Sequence, residues 1–147
     1  MRERQAPAAV ASRTLSYLSF DFGTRRVGVA SGNTLLKRAA PLKTVAGEGD
    51  ARFAAIGSLI KEWQPDALIV GVPFHPDGAE HDNTRRARRF ARQLQGRFGL
   101  PVHEVDERYT TTEALSEGAA DADAAAAAII LNQYLQALPE AKHDAAA

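Results

Sequence analysis

The chain has 147 residues, of which 45% are hydrophobic and 24% are charged, and its 18 basic and 18 acidic side chains leave no net charge. A chain of this length is most simply one domain with a well-formed core. The absence of cysteine excludes disulfides, thiolate nucleophiles and cysteine-ligated metal sites. Zero net charge argues against a protein that coats nucleic acid indiscriminately.

The two ends of the sequence differ in texture from the rest. Residues 1–14 and 139–147 are polar and alanine-rich, and we expect them to be flexible extensions around a domain at 15–138. No apolar run approaches the roughly 18–20 residues that span a membrane, and the first residues lack the apolar core of a secretory signal. We therefore expect no membrane contact and a cytoplasmic location.

The first third of the domain predicts an antiparallel meander. LSYLSFDF (15–22) alternates apolar and polar residues, which is strand periodicity. A turn at 23–25 leads into RVGVAS (26–31), and AAPLKTV (39–45) supplies a third strand. Pro41 favours an edge position for that strand, because proline cannot donate a backbone hydrogen bond.

Asp21 is an acid near the end of the first apolar strand. The alternation places it on the opposite face from Phe20 and Phe22. Burying an unpaired carboxylate costs several kcal/mol, roughly, so the residue needs a purpose. Two interpretations are open: Asp21 caps the following turn, or it faces a cation.

The middle of the chain alternates helices and a strand. ARFAAIGSLIKEWQ (51–64) has apolar residues at helical spacing, and Trp63 in that stripe is predicted to lie in the core. ALIVGV (67–72) is typical of a central strand covered on both faces. A turn-rich loop at 73–83 precedes a second helix at 84–99.

The helix at 84–99 is unusually rich in arginine. Six arginines fall within residues 85–97, and one face of the helix carries four of them at i, i+3, i+4 and i+7: Arg85, Arg88, Arg89 and Arg92. This face is either solvated or directed at an anion, and the pattern alone does not separate the two.

The chain ends with a fifth strand and a third helix. VHEV (102–105) leads into DERYTT, and DADAAAAAIILNQYLQAL (121–138) is a strong helix former. The predicted order is β-β-β-α-β-α-β-α, an α/β fold with a five-stranded mixed sheet flanked by helices.

Three acids are predicted to meet at one end of this sheet. Asp21 ends the first strand and Glu107 follows the fifth, and sites in such sheets form beyond the carboxyl ends of the strands. Asp123 opens the last helix, where it is either a capping residue or a ligand. The alanines after it allow the helix to approach the sheet closely; Asp121 is the rival for the role. Such hard oxygen ligands suit Mg²⁺ or Mn²⁺.

Four blocks of sequence resemble the YqgF family of pre-16S rRNA nucleases, relatives of Holliday-junction resolvases with an RNase H-like fold. The blocks are FDFGTRRVGVAS (20–31), IVGVPFHPDGAE (69–80), DERYTT (106–111) and DADAAAAAIILNQYL (121–135). The resemblance implies that 15–138 is an RNase H-like nuclease domain that cleaves phosphodiester bonds with a divalent metal. It further implies processing of the 5′ end of pre-16S rRNA in ribosome biogenesis.

Carried over by position, the resemblance assigns roles to individual residues. The catalytic and metal-binding triad falls on Asp21, Glu107 and Asp123, with Asp123 preferred over Asp121. Gly71, Pro73, Asp77 and Gly78 would shape a loop beside the site, and Asp106 would support it. The expected substrate-binding residues are Arg25, Arg26, Arg85, Arg88, Arg89, Arg92, Arg108, Thr110 and Thr111; Arg25 and Arg26 could equally be solvated.

The expected partners are pre-rRNA or branched DNA and ribosomal particles, for a chain that is a monomer or a weak homodimer. One alternative is a Holliday-junction resolvase-like DNA nuclease. Another is a non-catalytic nucleic-acid-binding or ribosome-assembly factor with the same fold. The short segment 112–120, which lacks the basic residues usual in the family, argues for it, and the three acids argue against it. An actin-like ATPase is disfavoured, since a second domain and a P-loop are absent from the sequence.

Overall fold

The computed structural model describes residues 13–75, 77–107 and 121–139. Its elements are β1 (Ser16–Phe22), β2 (Arg26–Asn33), β3 (Ala39–Ala46), α1 (Gly49–Trp63), β4 (Ala67–Val72), α2 (Asp82–Phe98), β5 (Val102–Asp106) and α3 (Ala122–Ala137). The predicted order of strands and helices is confirmed. Arg108, Thr110, Thr111 and most of the two predicted extensions lie outside the described residues. No helix in the described part is long and apolar enough to cross a membrane.

The five strands form one mixed sheet in the order β3-β2-β1-β4-β5. β1 is antiparallel to β2 and parallel to β4, and β5 runs parallel to β4 on its far side. The carboxyl ends of β1, β4 and β5 therefore share one end of the sheet, where sites form in folds of this class.

The two faces of the sheet are covered differently. On one face, Leu18, Phe20 and Val70 pack against apolar residues of α1 and α2 in the larger core. On the other face, Tyr17 and Ile69 pack against α3 alone in a smaller cluster. This division follows from strand alternation, which sends neighbouring side chains to opposite faces. Ser19 and Asp21 consequently belong to the α3 face.

Two details of the sheet confirm the sequence reading. Every residue of β4 is buried, as expected for an apolar central strand. Pro41 lies in β3 at the edge of the sheet, and the pairing register of β2 with β3 shifts between Val29 and Ala30. An edge position suits proline, because no strand on the outer side requires the backbone N–H that proline lacks.

Two helix ends differ from the prediction. Trp63 was expected in the core and is 44% exposed, so that prediction is wrong. It is the last residue of α1, before a left-handed C-cap at Gln64, where the helix has run past the edge of the core. α2 begins at Asp82, two residues before the predicted start. The His81 side chain caps the helix, and Thr84 bonds back to the His81 backbone in a capping box.

α3 lies unusually close to the sheet at Gly28. A Cβ atom on Gly28 would stand 1.8 Å from the carbonyl oxygen of Asp123, so only glycine fits beneath this helix. The buried alanines Ala124 and Ala127 present little bulk on the helix side. Ser19 Oγ donates a hydrogen bond of 2.7 Å to the Ala127 carbonyl. The close approach predicted from the alanine run is confirmed.

Replacing Gly28 with alanine should therefore destabilise the protein. We expect Gly28→Ala to lower the free energy of unfolding by about 1–3 kcal/mol, because the added carbon forces backbone away from backbone. Gly96→Ala is the matched control: Gly96 lies within α2, its Cβ would meet nothing within 4 Å, and alanine favours helix. Urea denaturation of both variants checks this, and equal stability would contradict the packing described.

Candidate functional site

Asp21 stands at the carboxyl end of β1, directly opposite Gly28 of β2 in the antiparallel register. Its side chain is half-buried on the α3 face. The backbone of Asp123, in the first turn of α3, lies directly over Gly28. The close packing of helix on sheet thus brings two carboxylates from distant parts of the chain together.

The ionised form of Asp21 is disfavoured in this position. Burial is the main cause and the negative charge of Asp123 is the second, and together they raise the pKa of Asp21 from 3.8 to about 6. Desolvation and a like charge both act against the carboxylate anion. A cation placed between the two side chains would remove the second penalty and offset the first.

Asp121 is already committed to holding the helix. It is the N-cap of α3, and its side chain accepts a hydrogen bond from Ala124 N (3.1 Å) and another from the Thr44 hydroxyl. The Thr44 bond is the largest cause of a lowered Asp121 pKa. With Asp121 engaged as the cap, Asp123 is the acid of this helix that is placed to serve as a ligand. The geometry thus supports the choice of Asp123 over Asp121.

Arg26 is paired with Asp123. Its Nε lies 3.1 Å from Asp123 Oδ2, with most of the arginine side chain in solvent. A pair so exposed contributes little to stability. Its effect is to orient the Asp123 carboxylate and to offset part of its negative charge. The sequence suggested a phosphate contact or a solvated side chain for Arg26, and did not suggest this pairing. The Arg25 side chain is exposed in the turn after β1.

Glu107 follows β5 immediately and is buried. Its backbone N–H donates to the Val72 carbonyl (3.0 Å), which continues the β4–β5 ladder by one bond. A Cβ on Gly71 would lie 2.3 Å from Glu107 Oε2, so the carboxylate occupies the space that a side chain on Gly71 would take. Gly71 was expected to shape a loop, but it lies within β4 and makes room for Glu107.

The three acids thus share one face and one end of the sheet. Phe20 pairs with Val70, so Asp21 and Gly71 come next on neighbouring strands, which lie about 4.8 Å apart. Within residues 13–75, 77–107 and 121–139, however, no three His, Asp or Glu side chains are close enough to hold a metal ion. The donor chemistry fits Mg²⁺ or Mn²⁺, with Asp21 and Asp123 as neighbours, but Glu107 does not close the set in this arrangement.

The arginines of α2 include a first group that is paired with acids and a second group that lines a cleft. Arg88 makes ion pairs with Glu80 (2.9 Å) and Glu104 (3.3 Å), and its guanidinium also lies over the Phe74 ring. Arg85 pairs with Asp82 at the start of the same helix. Arg92 is exposed. Arg89 belongs to the second group, since it lines a cleft of about 360 Å³ together with Arg86.

Two residues near this cleft were missed by the sequence reading. Arg86 falls outside the i, i+3, i+4, i+7 series that was singled out. Arg52 is only 5% exposed and donates to the carbonyls of Gly23 and Thr24 (both 2.9 Å) and of Gly47 (3.1 Å). Its spacing of four and seven residues from the buried Ile56 and Leu59 was the available signal that Arg52 faces inward.

A larger cavity of about 670 Å³ lies elsewhere. Residues at the start of β1 and β3, together with Trp63, line it. It is therefore at the opposite end of β1 from Asp21, and size alone does not make it part of the carboxylate site.

Comparison with known proteins shows relatives along nearly the whole chain. Residues 15–137 match the family model RuvX, described as Holliday junction resolvase. A protein of Albidiferax ferrireducens is 66% identical over 132 residues, which cover 90% of this chain and 85% of the relative. A protein of Polaromonas sp. is 65% identical over 124 residues, covering 84% and 90%. Both are named "Putative pre-16S rRNA nuclease".

The fold also has a counterpart among solved structures. The T. thermophilus RuvC in complex with a Holliday junction substrate superposes with a TM-score of 0.52 at 15% identity, over 84% of this chain and 94% of that one. At this identity the likeness establishes the fold alone, which is the RNase H-like fold predicted. From the family match and the close relatives together, the chain belongs to the RuvX family, and the resemblance found in its sequence is confirmed.

Proposed function

We propose that this protein is a divalent-metal-dependent endonuclease that hydrolyses phosphodiester bonds in the 5′ region of pre-16S rRNA. The observation that carries the proposal is that the packing of α3 on the sheet holds Asp123 close to Asp21, whose pKa is raised to about 6. Two neighbouring carboxylates do not stabilise a folded protein, but they are suitable ligands for a divalent cation.

Asp21, Asp123 and Glu107 are the proposed ligands and catalytic residues. Mg²⁺ or Mn²⁺ bound there would activate water and stabilise the leaving oxygen. The buried Glu107 carboxylate, which lies over Gly71, is the proposed third ligand. Arg26 would keep Asp123 oriented through their ion pair. Arg25, Arg108, Thr110 and Thr111 are proposed substrate contacts.

The proposed substrate is supported by the names of the relatives. The names of the two close relatives support pre-16S rRNA as the substrate. We further propose a role in ribosome biogenesis, on ribosomal particles in the cytoplasm. The description of the family model favours a second candidate, branched DNA of the Holliday-junction type. We propose that the domain at 15–138 acts as a monomer or a weak homodimer.

Cleavage of labelled substrates tests the activity. The parent protein with Mg²⁺ or Mn²⁺ is expected to cut a pre-16S rRNA fragment in preference to a four-way DNA junction. Asp21→Asn should lower the rate by about 10²-fold or more, because metal-held charge contributes several kcal/mol to the transition state. Asp50→Asn, at a carboxylate that is 98% exposed on α1, is the control and should cut like the parent. Equal rates for parent and Asp21→Asn would refute the nuclease assignment.

Asp21→Asn should also change stability in a pH-dependent way. Because the folded-state pKa of Asp21 is raised, its favourable contribution is full below about pH 3.8 and is lost as pH rises through about 6. At pH 7.5 the ionised side chain destabilises the protein by up to about 3 kcal/mol. Asp21→Asn should therefore be more stable than the parent at pH 7.5 and similar to it at pH 3.5, as measured by urea denaturation. A less stable variant at pH 7.5 would count against the raised pKa of Asp21.

Metal binding can be followed without any substrate. Adding Mn²⁺ at pH 7.5 should raise the melting temperature of the parent, because a ligand that binds only the folded state stabilises it. Asp21→Asn should show little or no rise, and Asp50→Asn should rise like the parent. Calorimetric heats of Mn²⁺ binding provide the second readout. The same rise in parent and Asp21→Asn would place the metal elsewhere.

A further inference from the structure

A cationic cleft lies beside the end of β1. It has a volume of about 360 Å³ and is formed by the turn after β1, the start of α1 and one side of α2, with Phe22, Thr24, Glu48, Gly49, Arg52, Phe53, Arg86, Arg89 and Gln93 along its walls. Asp21 and Phe22 are consecutive residues of a strand, so their side chains leave the sheet on opposite faces. The cleft and the carboxylates therefore share the end of β1 but lie on its two sides.

Arg52 places a buried positive charge on one wall of the cleft. Its guanidinium donates hydrogen bonds to neutral carbonyl oxygens, those of Gly23, Thr24 and Gly47. Its guanidinium also lies over the Phe22 ring, 5.5 Å from the ring centre. Burial lowers the pKa of Arg52, and the charge of Glu48 acts in the opposite direction. Carbonyls orient a guanidinium without neutralising it, so Arg52 leaves positive potential at this wall.

Two further arginines form the α2 wall. Arg86 and Arg89 are exposed, and neither makes an ion pair with another of the described residues. Their neighbours Arg85 and Arg88 are engaged with Glu80, Asp82 and Glu104. Among the residues that line the cleft, three arginines thus face a single acid, Glu48.

We propose that this cleft binds a backbone phosphate of the nucleic acid that crosses the end of β1, with Arg86 and Arg89 as the contacting residues. The inference rests on the proposed nuclease function, to which it adds a substrate subsite. Guanidinium groups bind phosphate through paired, charge-assisted hydrogen bonds, and the shared acceptor in RNA and DNA is the phosphodiester.

Arg52 is a positioning residue in this arrangement. It ties the Gly23–Thr24 turn to α1 through two carbonyls, and that turn connects the cleft to Asp21. The backbone of this turn would therefore fix the position of a phosphate bound by Arg86 and Arg89 relative to the carboxylates. Arg85 and Arg88, which the sequence grouped with Arg89 as a single substrate-binding face, are paired with acids: Arg85 with Asp82, and Arg88 with Glu80 and Glu104.

Two double variants on the same helix test this assignment. Arg86→Gln/Arg89→Gln removes the cleft pair, and Arg85→Gln/Arg88→Gln removes two charges from the ion-paired side. Binding is measured by fluorescence anisotropy with labelled single-stranded RNA and with DNA of the same sequence. The proteins also carry Asp21→Asn, so that the probes stay intact. Melting curves confirm that each variant is folded.

The cleft variant should bind at least about 10-fold more weakly, and the slope of log K against log salt should fall by about 0.7, because one lost phosphate contact on a single strand removes about that much. The ion-paired variant should change affinity less than about 3-fold by comparison, since Asp82, Glu80 and Glu104 offset the charge of its arginines. The loss should be similar for RNA and DNA. A loss confined to RNA, or an equal loss in both variants, would overturn the phosphate subsite.

Cleavage by the same double variants with Asp21 retained separates this inference from the nuclease proposal. If the parent cleaves and the cleft variant binds and cleaves like it, the subsite is wrong and the nuclease stands. If the parent binds through Arg86 and Arg89 but cleaves nothing, the subsite stands and the nuclease does not. If the parent binds neither probe, both proposals fail.

Discussion

The burial of Asp21 beside the negative charge of Asp123 is the constraint on which the rest of the site depends. The structure does not relieve it by distance, because α3 rests on the backbone of β2 at Gly28 and carries Asp123 with it. Arg26 offsets part of the charge from the solvent side, and Asp121 holds the helix start in place. A carboxyl group whose ionisation is opposed by its surroundings is a frequent mark of a functional site.

Two glycines and a run of alanines make this arrangement possible. Gly28 of β2 leaves room for α3. Gly71 of β4, the strand on the other side of β1, leaves room for the Glu107 carboxylate. The opposite face of the sheet is filled in the ordinary way by large apolar side chains from α1 and α2. The protein therefore separates its tasks by face: stability comes mainly from one side of the sheet, and the acids are gathered on the other.

The sequence predicted what local patterns determine. Alternation in residues 15–22 gave the face of Asp21, and the alanines after Asp123 gave the close approach of α3. Trp63 was misplaced because helical periodicity does not say where the core stops beneath a helix end. The division of the α2 arginines was also beyond reach, since the partner of Arg88 on β5, Glu104, is brought to it only by the tertiary fold. Arg26 likewise finds Asp123 across nearly a hundred residues of chain.

The unequal covering of the sheet has a consequence for motion. α3 is held by two buried clusters that together are smaller than the core on the other face, one centred on Ile130, Leu131 and Leu135 and the other on Ala127 and Ala128. Sub-global opening that detaches this one helix should be less costly than global unfolding, so its amides would exchange with solvent ahead of those of β1 and β4. Asp21 on the sheet and Asp123 on α3 are both proposed to hold the metal ion, so its binding would fasten the helix to the sheet. Occupancy of the site and order of the chain's last helix would then rise and fall together.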